Sequence, residues 1–251
     1  MSEGPQVKLT TERLRKQLEK RVVSQCTTTR PDLEHFATSI AGATFERIFC
    51  KGKHIFFDFG SDRFLNNHLL MRGRWRRTAD RFLLLPAEIW IAFEVANCTV
   101  YNYMGQVFRI FDAGRLVEHL NSLGPDIMDE NCTEQDIARA LSQRSEPLGE
   151  LLLDQAVVSG VGNVAKSESL FLAGLGPETR AECLSEDSLV RLARSIMQVM
   201  WGSYRSGGRW THRVYRRAGK HCFECGARII MIRQGKQKRS TYFCPSCQPR
   251  G

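Results

Sequence analysis

Val7, Leu14, Leu18 and Val22 recur at near-helical spacing behind Pro5, which suits the first turn of a helix, so the pattern predicts a helix over residues 5–22. From Thr44 the period shortens. His54–Phe59, Phe64–Met71, Ile89–Val95, Cys98–Tyr103 and Val107–Phe111 are short segments rich in aromatic and β-branched residues. They predict a β-sandwich of about five or more strands. Arg72, Arg74 and Arg76 alternate and are expected to share one strand face, turned either to phosphate or to solvent. Leu123-Gly124-Pro125-Asp126 reads as a boundary. Beyond it the period is helical, near 133–142, 147–157, 163–173 and 185–204. The expected fold class is α+β: a helix and β-sandwich domain over 1–124, a helical domain over 125–215, and a terminal hairpin module over 216–251.

The terminal module carries the clearest chemistry. Cys222-Phe-Glu-Cys225 and Cys244-Pro-Ser-Cys247 are two Cys-x-x-Cys pairs separated by 18 residues, the spacing of a four-thiolate zinc site. The intervening stretch is long enough for a two-stranded hairpin that unites the pairs. Four sulfur ligands leave no open position, so one Zn²⁺ is expected in a structural role. Four unrelated cysteines or two redox pairs are the competing readings.

Charge sharpens this picture. The formal net charge is +9, yet from Trp201 to Gly251 there are 12 Lys and Arg against one acid, Glu224. The rest of the chain is slightly negative, with 24 basic and 26 acidic residues. A basic end on a near-neutral body is the footprint of a polyanion-binding surface; a soluble basic tail is the bland alternative. With 42% hydrophobic and 25% charged residues the 251-residue chain is expected to be globular and soluble. It has no apolar run near the ~20 residues of a membrane span and no signal-peptide pattern. Cys26, Cys50, Cys98, Cys132 and Cys183 are scattered, which fits a reducing, intracellular setting.

Leu153-Asp-Gln-Ala-Val-Val-Ser-Gly160-Val-Gly162-Asn163-Val-Ala-Lys166-Ser-Glu168-Ser-Leu-Phe171 joins two helices through a glycine-rich turn. Gly160 and Gly162 permit unusual backbone shapes and close approach of a phosphate, and Asn163 can cap a helix whose N-terminus favours an anion. An ordinary helix–helix turn fits the same residues.

The full string resembles the helix–two-turns–helix element of the formamidopyrimidine-DNA glycosylase/endonuclease VIII family. Three further segments match in order. Ser2-Glu3-Gly4-Pro5 resembles the family's Pro-Glu-Gly-Pro start, and Lys51-Gly52-Lys53-His54 resembles its Gly-Lys strand. Val214–Cys222 with Arg239–Gln248 resembles its zinc finger. The similarity spans essentially the whole chain, with motif details nearest the vertebrate Nei-like branch.

The resemblance implies a DNA glycosylase of base excision repair that flips out an oxidised base. It implies a nucleophilic N-terminal amine, exposed by removal of Met1, that forms a Schiff base with the sugar. Ser2 would be that nucleophile, Glu3 the acid/base residue, and Lys53 a strand cation near the anomeric carbon. Asn163 and Arg239 match the phosphate contacts, with Lys166 as a further candidate, and Met71 matches the residue that fills the gap left by the flipped base. Ser2 replaces the usual proline, so weakened AP lyase activity is expected. Tyr103–Phe111 lacks the Asp-Pro-Arg-Arg-Phe-Gly string of the 8-oxoguanine branch, which favours oxidised pyrimidines or hydantoins, with single-stranded damaged DNA among the candidate substrates. The chain is read as a monomer, acting in the cytoplasm or nucleoid of a bacterium or the nucleus of a eukaryote. Two rivals stand: a catalytically impaired damaged-DNA-binding protein, and a zinc-ribbon adaptor that binds protein. Without the family match, Ser2 and Glu3 would read as a frayed, solvated terminus.

Overall fold

The structure is a computed structural model that describes residues 2–80, 82, 84–105 and 107–249. The chain forms two compact units. The first comprises Met1–Ser2 and Val7–Asn121, and the second comprises Glu3–Gln6 and Ser122–Gly251. Glu3–Gln6 therefore make their contacts with the second unit, although the sequence places them within a 1–124 domain.

A long helix, α1 (Gly4–Leu18), which belongs to the first unit from Val7 onward, precedes strand β1 (Gln25–Thr28) and a short helix α2 (Glu34–Ser39). Seven strands follow: β2 (Arg47–Lys51), β3 (His54–Asp58), β4 (Phe64–His68), β5 (Arg74–Thr78), β6 (Ile89–Val95), β7 (Cys98–Tyr103) and β8 (Val107–Phe111). Helix α3 (Ala113–Asn121) closes the unit. The strands make two four-stranded antiparallel sheets, ordered β1-β6-β7-β5 and β2-β3-β4-β8. Inward residues of both sheets, including Ile48, Phe57, Leu65, Phe93 and Val100, share one core with Val7, Leu14 and Leu18 of α1. Within it Trp75 donates its indole N–H to the Asn67 side chain at 2.9 Å, so a buried polar pair links β5 of one sheet to β4 of the other.

Several expectations need correction here. Helix α1 stops at Leu18, because Lys20 adopts a left-handed φ of 63° and its N–H turns to the Phe45 carbonyl. Val22, expected on the helix's apolar face, lies beyond it and is exposed. Strand β4 ends at His68, so Met71 and Arg72 sit in a turn, and only Arg74 and Arg76 share the exposed face of β5.

The second unit contains α4 (Glu134–Ser142), a single turn α5 (Leu148–Leu151), α6 (Asn163–Ala173), α7 (Glu186–Arg205) and the hairpin β9 (Ile230–Gln234) and β10 (Arg239–Phe243). The helix expected over 147–157 is thus one turn, after which the chain runs through turns into α6. Thr133 and Asp136 form a reciprocal capping box on α4, and Ser185 caps α7. The helices bury an aliphatic core that includes Ile137, Leu152, Val161, Leu170 and Ile196. No helix among the described residues is long and apolar enough to cross a membrane.

Candidate nucleic-acid and catalytic site

The N-terminal carboxylate is deeply embedded. Glu3 is wholly buried and its oxygens accept backbone N–H bonds from Gly162 (3.1 Å), Val164 (2.8 Å) and Ala165 (3.1 Å). These are orphan donors of the first turn of α6, where an anion is favoured by both hydrogen bonding and the helix dipole. The N-cap of α6 is Gly162, which makes no side-chain cap, so the capping role expected of Asn163 belongs to Glu3. Gly162 must be glycine, because a Cβ there would fall 2.4 Å from the Glu3 carboxyl carbon. Gly160 takes φ +98° and offers its carbonyl to the Gly4 N–H at 2.9 Å, which fixes the entry of the N-terminal segment. The Glu3 N–H is held in turn by the Gln6 side chain, which also donates to the Gly208 carbonyl.

Ser2 is half-buried, and its nitrogen donates to the Leu70 carbonyl at 3.2 Å. That nitrogen is a peptide N–H here, and Met1, which precedes it, lies outside the described residues. Leu70 has a left-handed φ of 48°, rare for a branched residue, and Met71 beside it is 59% exposed. The turn thus places an exposed apolar side chain next to the carbonyl that orients the Ser2 nitrogen. Lys53 lies with Gly52 in the two-residue turn joining β2 to β3, not on a strand as expected, because Gly52 takes φ 58° and Lys51 pairs with His54 across the turn. His54 and His68 face each other at 4.9 Å between ring centroids. Burial, with the repulsion that His68 would exert if both rings were protonated, lowers His54 to about 3. Burial, Lys53 and Arg109 lower His68 to about 4, so both rings are neutral near Lys53.

In the second unit, α6 is bolted to the hairpin. Asn163 donates to the Ser240 hydroxyl at 3.3 Å, while its buried Oδ1 has no hydrogen-bond partner among the described residues. Lys166 is fully buried and its Nζ donates to the Thr241 hydroxyl at 2.7 Å and the Ser240 carbonyl at 3.4 Å. Burial pushes this ammonium down to about 7, the Glu3 charge opposing the shift and Arg239 adding to it. Lys166 is therefore an interior tie to β10, not the surface cation that a direct phosphate contact needs. Glu168 accepts three backbone bonds, from Arg213 (2.8 Å), Val214 (3.0 Å) and Tyr215 (2.8 Å), and anchors the segment leading into the finger. Arg239 begins β10, is exposed, and rests its Nε on the Gln237 side chain at 3.0 Å.

Cys222, Cys225, Cys244 and Cys247 bring their sulfurs within 4.8 Å of one another, and they are the group of metal-ligating residues found among the described residues. The pairs Cys225–Cys244 and Cys222–Cys247 are 3.5 and 3.9 Å apart. A tetrahedral ion with metal–sulfur bonds of ~2.3 Å has edges of roughly 3.8 Å, so the donor set fits a bound metal ion.

The fold and the Glu3 geometry meet at the same two segments that match known families. The model of the formamidopyrimidine-DNA glycosylase N-terminal domain matches residues 1–104, and that of its H2TH domain matches residues 123–213. A DNA-(apurinic or apyrimidinic site) lyase of Mycolicibacterium smegmatis is 31% identical over 99% of both chains. The chain belongs to the formamidopyrimidine-DNA glycosylase/endonuclease VIII family. Endonuclease 8 of Pectobacterium atrosepticum is 27% identical over 99% of this chain and 100% of its own. The formamidopyrimidine-DNA glycosylase of Lactococcus lactis, solved with DNA containing an abasic site, superposes with a TM-score of 0.86 at 25% identity and covers 99% of this chain and 100% of its own.

Members of this glycosylase family are DNA repair enzymes, and the helix–two-turns–helix element and the four-cysteine finger are both present here. Two partners in this framework escape a reading of the sequence. Glu168 was visible only as part of a motif string, because its partners lie more than forty residues away. The paired, neutral His54 and His68 carry no spacing signal, since the cross-strand register alone brings them together.

Proposed function

We propose that the chain removes oxidised bases from DNA through the free amine of Ser2. The amine nitrogen attacks the anomeric carbon of the damaged nucleotide, the glycosidic bond breaks, and its electron pair leaves with the base. As the sugar opens, nitrogen gives up its two protons, one to the departing base and one to the freed ring oxygen, and the imine that results is hydrolysed by water to restore the amine. An α-amino group has a pKa of roughly 7.7–8.0, so a useful neutral fraction exists near neutral pH. Glu3 moves protons at the sugar, and Lys53 assists the phosphate or the leaving base. An imine of a primary amine loses its charge on deprotonation, whereas a proline-derived iminium cannot. The electron sink for strand elimination is therefore weaker, and AP lyase activity lags behind base release.

Arg239 and Asn163 contact backbone phosphates, Lys166 holds β10 in place for them, and Met71 enters the gap left by the flipped base. One Zn²⁺ on the four thiolates maintains the finger and takes no part in chemistry. The substrate is damaged DNA, single-stranded forms included, with oxidised pyrimidines or hydantoins as lesions. The enzyme works as a monomer inside the cell, in the compartment that holds the DNA. In this reading residues 1–124 carry the chemistry, 125–215 the two-turn element and 216–251 the finger.

One observation carries the reading: Glu3 is sealed into the N-terminus of α6 by three N–H donors, which a frayed terminus would not be. The same saturation also suits a protein that only binds damaged DNA, with Glu3 as a structural anchor. Base release from oligonucleotides bearing oxidised pyrimidines or hydantoins, assayed with protein whose intact mass shows loss of Met1, separates the two. Release is expected; DNA binding without release from any oxidised substrate supports the binding protein.

A further inference from the structure

The first unit carries an arginine-lined cleft that the chemistry above does not use. Helix α1 and strand β5 border an opening of about 440 Å³ whose lining includes Thr10, Arg13, Gln17, Arg76, Arg77 and Tyr101. Strand β5 is an edge strand, paired only with β7 in its sheet. Arg13, Arg76 and Arg77, all exposed, are among its lining residues, and among the described residues that line it there is no carboxylate.

These arginines differ from others in the same unit. Arg30 pairs with Asp32, and Arg15 and Arg63 donate to the Ile48 and Ser39 carbonyls. Arg13 donates to the Thr10 hydroxyl at 3.3 Å, and Arg76 lies over the Tyr103 ring at 5.0 Å. Among the described residues no carboxylate forms an ion pair with Arg13, Arg76 or Arg77. The groove beside the finger makes an instructive contrast: there Lys236 and Arg239 share the lining with Glu146, Glu150 and Asp154, so carboxylates offset the basic charge. Unbalanced guanidinium groups repel one another and draw in an anion, and their planar forks match phosphate oxygens in pairs. Tyr101 adds an aromatic edge and a hydroxyl, suited to a sugar or an unpaired base.

We propose that this cleft is a second phosphodiester-binding surface, which takes the backbone of the substrate strand away from the damaged nucleotide. The proposal rests on the DNA reading above. Arg13 stands nine residues into α1 from Gly4, which is ~14 Å of helix at ~1.5 Å per residue and about four nucleotides at ~3.4 Å each. A strand whose damaged sugar meets Ser2 can therefore reach the cleft only if it extends several nucleotides beyond the lesion.

The test compares a short lesion oligonucleotide with one extended on both sides, measuring affinity by fluorescence anisotropy across a salt series. For R76A/R77A the extended single strand should bind roughly tenfold more weakly, with the slope of log affinity against log salt smaller by about 1.4, or ~0.7 per lost phosphate contact. Affinity for the short oligonucleotide and its rate of base release should match wild type. R76K/R77K should keep the wild-type slope, and R13A should reduce it by about half as much as the double variant. Wild-type slope and affinity in R76A/R77A, when the wild type binds and processes DNA, would overturn the cleft alone. A loss seen only for polyglutamate, with DNA binding untouched, would overturn it in favour of an acidic polypeptide. Failure of the wild type to bind any DNA would overturn both this proposal and the reading beneath it.

Discussion

Glu3 and Glu168 occupy the same kind of seat. Each is essentially unexposed, and each carboxylate accepts three backbone N–H bonds between 2.8 and 3.1 Å. Glu3 closes the N-terminus of α6 across about 160 residues of sequence, and Glu168, on the same helix, fastens the chain that enters the finger. Their local geometry does not tell them apart. The difference lies in what stands next to them along the chain: Glu3 follows Ser2, and Glu168 has an interior helix on both sides. A carboxylate with three N–H donors is thus a device for holding backbone, and the proposed mechanism gives Glu3 a further role because the Ser2 nitrogen adjoins it.

Substitution at the two positions should pull the roles apart. Glu3→Gln keeps the shape and one acceptor, and base release in single-turnover assays is expected to fall ~10²–10⁴-fold, the usual worth of a positioned acid/base group. Retention of activity would reduce Glu3 to an anchor like its counterpart. Glu168→Ala strands three backbone donors and should cost ~3 kcal/mol or more in denaturant unfolding, from ~1–3 kcal/mol for each donor left unsatisfied. Base release per folded molecule should then change far less than in Glu3→Gln, and equal losses would erase the distinction.

Lys166, on the helix that carries one carboxylate and is capped by the other, offers a pH test. Its folded pKa, about 7, lies below the ordinary value of 10.5. Between these values the unfolded chain binds the additional proton, so the wild type should gain stability as pH rises through this window. The gain is on the order of 2 kcal/mol between about pH 7 and pH 9, and it should be missing in Lys166→Met. A parallel pH profile for the two proteins would show that the ammonium is not desolvated. The smallest effect is expected at Arg239→Ala: about a tenfold loss of DNA affinity, similar for every sequence, with a salt slope shallower by about one. Sequence-dependent losses would mean that Arg239 reads bases.

Much of this was legible in the chain. Aromatic and β-branched runs marked five of the eight sandwich strands, and cysteine spacing marked a cluster whose sulfurs do converge. Strands β1 and β2 were missed because Gln25–Thr28 has a single apolar residue, Cys26, and in Arg47–Lys51 the apolar Ile48, Phe49 and Cys50 are consecutive, so neither segment alternates. Helix α6 misled for a different reason. Lys166, Ser167 and Glu168 are polar yet buried, because their partners arrive from β10 and from residues 213–215. A single chain shows the polar residues but not the distant donors and acceptors that make their burial tolerable. Ser2 and Glu3 were recognisable only through family likeness, since no local pattern announces a terminus docked onto a helix end.

The central claim is that the Ser2 amine is the nucleophile. The most direct measurement is to incubate the protein with an abasic-site oligonucleotide and borohydride, then locate the reduced adduct by peptide mass. The account predicts a secondary-amine adduct on the Ser2 nitrogen of chains that have lost Met1. An adduct on Lys53 alone, or no adduct at all, would contradict it.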